Sequence, residues 1–487
     1  MLLVILLGLV SLLVIYLHIN YRYWTKRGVI QEPHLPIIGN LLDVVLKRKN
    51  AGQVYDAIYQ KYCNSHDAVG VYELMTPNLL LLNPRLIKQV TTTDFSSFHD
   101  NEFYVRKDLD PYLYYDPFTL KGDEWKPVRT SLASLMATSK VKEIFPYMKK
   151  LIPQLDDYLD KHQTKQLEAK DELSSLYMMN TASNSIFGVK CNCFTDPDAD
   201  FRKMGELFVK ESLQSFWLTL TFFYLPRIRD FFRIRVLPKK VCDYLENMLQ
   251  QVVEHRKKNN IKINDIIGGM ISKSGDNLFD IVALGVAIFV DGFETTSSVA
   301  SFALYELAMN PEIQENLYQE IKTSASNSTD IDFETLQNLP YLDKVLKETL
   351  RKYALVYNLK RVCTKRCSLN IDGRNVEIEP NTPIIIPFYG VHNDPRYYPD
   401  PEVFDPERFA DDNADHADVY YPFGNGPRIC PGQRFAVAQM KLFVWNIVLK
   451  YTIRPTKTTP TKLTFSKNAL MLVSEEPLNL FFERRIC

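Results

Sequence analysis

The chain has 487 residues, 46% hydrophobic and 24% charged, which is enough apolar material for one very large core. Lys+Arg and Asp+Glu both number 58, so the formal net charge is +0 and the basic surface that bulk nucleic-acid binding favours is missing. Cysteines at 63, 191, 193, 242, 363, 367, 430 and 487 make no small-domain disulfide framework and fit a reducing compartment. Cys191-Asn192-Cys193 is too short for a CxxC site, and Cys363 and Cys367 lack a second pair of ligands, so these four read as structural.

Residues 1–19, MLLVILLGLVSLLVIYLHI, carry no acid, lysine or arginine. As a helix this segment roughly spans a hydrocarbon core of about 30 Å. Tyr21, Tyr23 and Trp24 supply interface aromatics, and Arg22, Lys26 and Arg27 hold the C-terminal side of the segment in the cytosol. A cleaved leader prefers a basic region before the apolar core and a small-residue cleavage site after it, and neither is present. The expectation is therefore an uncleaved anchor over 1–20, a basic and proline-rich hinge over 21–45 that includes Pro33, Pro36 and Gly39, and one catalytic domain over 46–487. The acceptor triplet Asn327-Ser328-Thr329 should then stay unglycosylated.

Short helical and strand-like pieces, such as Asn78–Leu82, mix over 50–110. Residues 140–350 are mostly helical in period. The apolar stretch 275–308 is a buried helix rather than a span, because Asp280, Asp291 and Glu294 interrupt it. Inside it, Asp291-Gly292-Phe293-Glu294-Thr295-Thr296 puts a glycine, acids and hydroxyls where a helix interior disfavours them. Such a local violation points to function. Ser or Thr can bond the i−4 carbonyl and open a groove, and Gly292 leaves room for a small ligand. Glu348 and Arg351 stand at i, i+3 on one helix face. Residues 360–410 turn strand-like and proline-rich. The fold class is mainly α with a small β component, in one large domain.

Cys430 sits near the end of the string Phe423-Gly424-Asn425-Gly426-Pro427-Arg428-Ile429-Cys430-Pro431-Gly432. Its glycines let backbone N–H groups approach the sulfur, a cation lies two residues before it, and a helix begins after it, with Pro431 suited to its first turn. N–H donors and a helix N-terminus stabilise a thiolate that binds metal.

The string F-x-x-G-x-R-x-C-x-G resembles the haem-binding loop of cytochrome P-450 enzymes. The resemblance covers the whole chain, with an anchor, a proline hinge and the motif regions in the family's order. It implies the single P-450 fold, haem b with Cys430 as the axial iron ligand, and Phe423 and Gly424 in the haem loop. Asp291–Thr296 is similar to the family's oxygen-activating motif, which implies Thr295 as the hydroxyl beside bound dioxygen and Glu294 in a proton relay. Asp291 stands where the family has Ala or Gly, and is expected to point away from the haem and pair with a cation, the alternative being that it alters proton delivery. Glu348, Arg351 and Arg408, from Pro406-Glu407-Arg408-Phe409, resemble the family's buried charge network. The family's double proline is replaced by Tyr353-Ala354-Leu355, which implies a looser turn. Gly122–Arg129 resembles the W-x-x-x-R helix, with Trp125 and Arg129 one turn apart toward a haem propionate, and Arg361 and Arg428 resemble further propionate partners. His392 is left without a role.

The wording of these motifs looks most like insect microsomal members that oxidise drugs and toxins. The resemblance thus implies a monooxygenase of the endoplasmic reticulum membrane, single-pass, with its catalytic domain facing the cytosol. It would take electrons from NADPH through a separate flavoprotein reductase, with cytochrome b5 as a further donor, since no flavin or NADPH fingerprint is present. A basic docking face would draw on Lys126, Lys140, Lys142, Arg434 and Lys441. Substrate contacts would come from Phe103–Phe118, Phe216–Phe232, Val286–Val290, Val356–Asn358 and Asn468–Met471. A haem-thiolate isomerase or dehydratase acting on peroxides, and a haem sensor or carrier without turnover, are the competing readings; Glu294 and Thr295 argue for oxygen activation. Deleting residues 2–20 is expected to weaken membrane attachment while leaving haem binding intact. A flotation assay and an absorbance spectrum of the same preparation check this.

Overall fold

The computed structural model describes residues 1–274, 277–325, 331–410 and 418–485. The acceptor triplet at Asn327 lies outside the described residues. The first helix, Leu2–Asn20, stands exposed and is apolar enough to cross a membrane. The chain then packs back onto the domain. Trp24 is fully buried, and a Cβ on Gly70 would sit 2.3 Å from its ring. This corrects one expectation. Trp24 and Tyr21 belong to the domain's own core rather than to a lipid interface, because the hinge is held by Gly70 and by the stacking of Tyr21 on His34.

Most of the mass is helical. At its centre runs the 32-residue helix Leu278–Met309, started by Asn277, whose side chain accepts the Asp280 N–H. It is apolar nearly all round, and it is buried nearly all round. Helices pack against it from several sides, among them Ser175–Ala182, Lys239–Lys258 and the helix after the cysteine loop, Gln433–Lys450. A second, smaller core lies under a five-stranded sheet with spatial order Ala68–Glu73, Thr76–Leu81, Pro383–Ile386, Leu359–Val362 and Asp100–Asn101. In this sheet Leu80 pairs in parallel with Ile385, and Asn101 sits opposite Arg361. A two-stranded hairpin, Cys367–Ile371 with Arg374–Ile378, turns at Asp372-Gly373, both at positive φ.

Glu348 and Arg351, on the helix Pro340–Lys352, are fully buried and form a two-point pair at 2.7 and 2.8 Å. Arg351 also donates to the carbonyls of His392 and Pro401, and Arg408 approaches Glu348 at 3.4 Å. Glu348 accepts the Asp405 N–H as well. The network therefore ties the segment before the cysteine loop to the helical core. The turn that lacks prolines is braced instead of loose. Tyr353 stacks on Phe302 at 4.3 Å and donates to Glu306, which Lys352 also reaches at 2.7 Å. His392 has a structural place: its Nε2 accepts the Tyr421 N–H at 2.7 Å, and burial beside Arg351 pushes its pKa down to about 3. Arg351→Leu strands a buried carboxylate and is expected to cost about 3–5 kcal/mol. Lys347→Ala removes an exposed pair and is expected to cost less than about 1 kcal/mol. Denaturant midpoints of the two variants compare them directly.

Candidate haem-thiolate site

A cavity of about 470 Å³ opens inside the domain between the central helix and the cysteine loop. Its floor is the loop Phe423–Gly432. Gly424 and Gly426 take φ of +78° and +72°, which only glycine adopts without strain. A Cβ on Gly426 would lie 1.9 Å from the Thr91 carbonyl oxygen, so this turn also needs the missing side chain for space. The loop closes on itself through the Cys430 N–H to the Phe423 carbonyl at 2.9 Å. Cys430 borders the cavity, and burial pushes its thiol up to about 11. The N–H groups of Gly432 and Gln433 and the charge of Arg129 act in the opposite direction, as stabilisers of an anionic sulfur. The helix starts at Gln433 with Gly432 as its cap, so Pro431 precedes the first turn instead of occupying it.

One wall of the floor is a set of donors. Trp125 and Arg129 lie one turn apart on the helix Gly122–Leu135 and both border the cavity. Arg428 stacks over the Trp125 ring at 4.4 Å and donates to the carbonyls of Pro117 and Leu120. Arg129 donates to the Ile429 carbonyl at 2.6 Å. Several buried donors here have no partner among the described residues: Trp125 Nε1, Arg129 Nε and Nη1, Arg428 Nε and Arg361 Nε. Burial depresses the pKa of Arg428 to about 10 and of Arg361 to about 9, with repulsion from Arg129 adding to the first and from Arg428 to the second. Unpartnered cationic donors beside a thiol on an apolar floor suit a planar, iron-bearing group with anionic substituents. Arg361 stands behind Arg428, not on the wall, and gives Nη1 to Asn101 Oδ1 at 2.7 Å.

The roof is the central helix. Thr295 and Asp291 border the cavity, and a Cβ on Gly292 would meet nothing within 4 Å. The Thr295 hydroxyl donates to the Asp291 carbonyl at 2.7 Å, and that of Thr296 to the Gly292 carbonyl at 2.7 Å. Glu294 faces the other way. Its carboxylate is buried and paired with Lys170 Nζ at 2.7 Å. The expectation for Asp291 is overturned. Among the described residues no cation pairs with it, and its place on the roof, one turn before Thr295, turns it into the cavity. Lys170 is marked by no local pattern, since it lies far from Glu294 in sequence. All five segments expected to touch substrate contribute to the wall. Of the docking candidates, Lys126 and Arg434 are exposed, whereas Lys441 is buried on the Gln337 carbonyl and Asp343, and is no part of a surface.

The cytochrome P450 family model matches residues 30–481. The chain belongs to the cytochrome P450 family. It is 32% identical to "Probable cytochrome P450 6a13" of Drosophila melanogaster over 97% of this chain and 96% of that one. It is 31% identical to "Cytochrome P450 6k1" of Blattella germanica, over 99% and 96%. "Probable cytochrome P450 28d1" of Drosophila melanogaster is 29% identical over 92% and 91%. Membership makes this P450 a haem-thiolate monooxygenase that uses O2 and a redox partner. Cys430→Ser is expected to abolish the thiolate-type carbon monoxide spectrum of the reduced protein. A spectrum identical to that of the parent would remove Cys430 as the ligand.

Proposed function

We propose that this P450 inserts one oxygen atom from O2 into a small apolar substrate of the toxin, steroid or fatty-acid-like kind. NADPH supplies two electrons through a membrane flavoprotein reductase, with cytochrome b5 as a further donor, and the second oxygen atom leaves as water. The observation that carries this reading is the convergence on one cavity of Cys430 below, Trp125, Arg129 and Arg428 at the side, and Thr295 above. Cys430 would hold the haem through its thiolate, and the haem bound there would supply the oxygen-activating chemistry.

The chain's own residues do the rest. Gly432 and Gln433 hold negative charge on the Cys430 sulfur. Trp125, Arg129 and Arg428 would offer donors to the propionates, while Arg361 is held by Asn101 off the cavity wall. Phe423 and Gly424 shape the floor. The Thr295 hydroxyl gives its proton to the Asp291 carbonyl, which fixes the direction of Oγ1 and leaves its lone pairs free to accept on the cavity side. Glu294 serves the relay only when its carboxylate swings off Lys170. Apolar wall residues such as Phe118, Phe223, Ile288 and Leu355 exclude water from the reacting carbon.

Leu2–Asn20 anchors the protein in the endoplasmic reticulum membrane, with residues 46–487 as the catalytic domain on the cytosolic side. Phe231 and Phe232, 81% and 67% exposed, carry the apolar contact toward the lipid from which substrate enters.

The test is reconstitution with reductase, NADPH and isotopically heavy O2 over a mixed extract of lipids and plant toxins. One heavy atom in a product is the expected result. Rearranged peroxide with no need for NADPH would favour an isomerase instead. No turnover of any substrate would favour a sensor. In the same system Thr295→Ala is expected to keep consuming NADPH while forming less product and more peroxide. Unchanged coupling would remove Thr295 from the relay.

A further inference from the structure

The cavity wall holds three carboxylates: Glu102 is paired with Lys360, which leaves Asp116 and Asp291. They reach it from different elements, the loop before the Trp125 helix and the central helix. Asp116 is 2% exposed. One of its oxygens accepts the Phe118 N–H at 2.7 Å. The Asp291 carboxylate has no hydrogen-bond donor among the described residues, and no described cation pairs with either acid. The cations on the same wall are placed elsewhere. Arg129 and Arg428 serve the floor, Lys360 is held by Glu73 and Glu102, and Lys467 sits on an exposed loop near the C-terminus. Burial pushes Asp116 up to about 6, and a place inside the domain together with Asp116 pushes Asp291 well above the carboxylate range. Asp291 is open to the cavity, so an apolar ligand that fills this space strips water from its carboxylate, which is costly unless a counter-charge comes with it.

We propose that Asp116 and Asp291 anchor a protonated amine on an otherwise apolar substrate. This rests on the reading of the cavity as the substrate site. Two carboxylates offer negative charge from two directions, with only one oxygen spent on Phe118, and an ammonium group carries the complementary charge, which a quaternary nitrogen shares with a protonated amine. A neutral ligand leaves both acids unpaired, and an anion adds repulsion. A divalent cation finds too few ligands, since no group of three or more metal-binding side chains gathers among the described residues. Asp291 is one turn from Thr295, so an amine held there keeps its neighbouring carbons on the reacting side of the cavity.

The experiment uses the full-length haem-loaded protein in detergent and equilibrium dialysis. The probes are 4-phenylbutyl-trimethylammonium, whose nitrogen has no lone pair to offer a metal, and its carbon isostere with a quaternary carbon in place of nitrogen. The ratio of the two affinities isolates the charge from the shared apolar body. Asp291→Asn and Asp116→Asn are each expected to lower the cation-to-isostere ratio about tenfold, while Asp123→Asn, away from the cavity wall, leaves it unchanged. A ratio within threefold of the parent in Asp291→Asn overturns the proposal. If Asp116→Asn loses its fold with the Phe118 turn, Asp291→Asn decides alone, because its side chain bonds to nothing that the fold needs. The carbon monoxide spectrum of each preparation reports separately on the thiolate site, so failure of the cavity reading and failure of the anchor are distinguished.

Discussion

A sulfur that must carry negative charge inside a protein needs donors around it, and the rest of this molecule is organised by that demand. A place inside the domain, with the Asp291 carboxylate adding negative charge nearby, drives the Cys430 thiol to hold its proton. The opposing influence comes from two N–H groups at the start of the Gln433 helix and from Arg129. Neither is available unless the loop turns tightly at Gly424 and Gly426, and Gly426 has no room for any side chain against Thr91. The Glu348–Arg351 network then holds the preceding segment in place by bonding to main-chain groups from several stretches. A buried ion pair of this kind contributes little net stability, but it is costly to break, and it fixes where those stretches meet.

The central helix faces a second constraint. It must be apolar enough to be buried on nearly every side and still present polar groups at one turn. Two hydroxyls satisfy themselves on i−4 carbonyls, which lets Thr295 and Thr296 sit in the interior without stranded donors. The two acids are resolved in opposite ways. Glu294 is neutralised by Lys170, and Asp291 is left on the cavity side with no cation among the described residues. They stand three residues apart, near one face of the helix, so what separates them is the surroundings each side chain reaches: Lys170 in one case and the open cavity in the other.

Much of the site is readable in one dimension because its parts are local. The cysteine loop, the Trp125–Arg129 turn and the Glu348–Arg351 pair each occupy a short stretch of chain, and each puts unusual residue types at a spacing that a loop or helix converts into geometry. The buried helix over 275–308 is legible for a similar reason, since its acids argue against lipid and its length against a strand. Where local pattern misleads, tertiary packing is the cause. Trp24 reads as an interface aromatic until Gly70 takes it into the small core. Lys441 reads as a surface cation until Gln337 and Asp343 bury it. Tyr353 reads as a loose turn until Phe302 and Glu306 brace it.

The fold class, the apolar N-terminal helix, the cysteine loop and the hydroxyl-bearing turn follow from residue order, because periodicity, spacing and glycine placement act over short stretches of chain. Which charges meet is a matter of packing. Lys170 reaches Glu294 from a distant part of the chain, Asn101 meets Arg361 through strand register, and Asp116 faces the same cavity as Asp291 from a separate loop. The physical reason is that a side chain's charge acts over a few ångströms of space, and the chain distance between two residues says nothing about that separation once the fold closes.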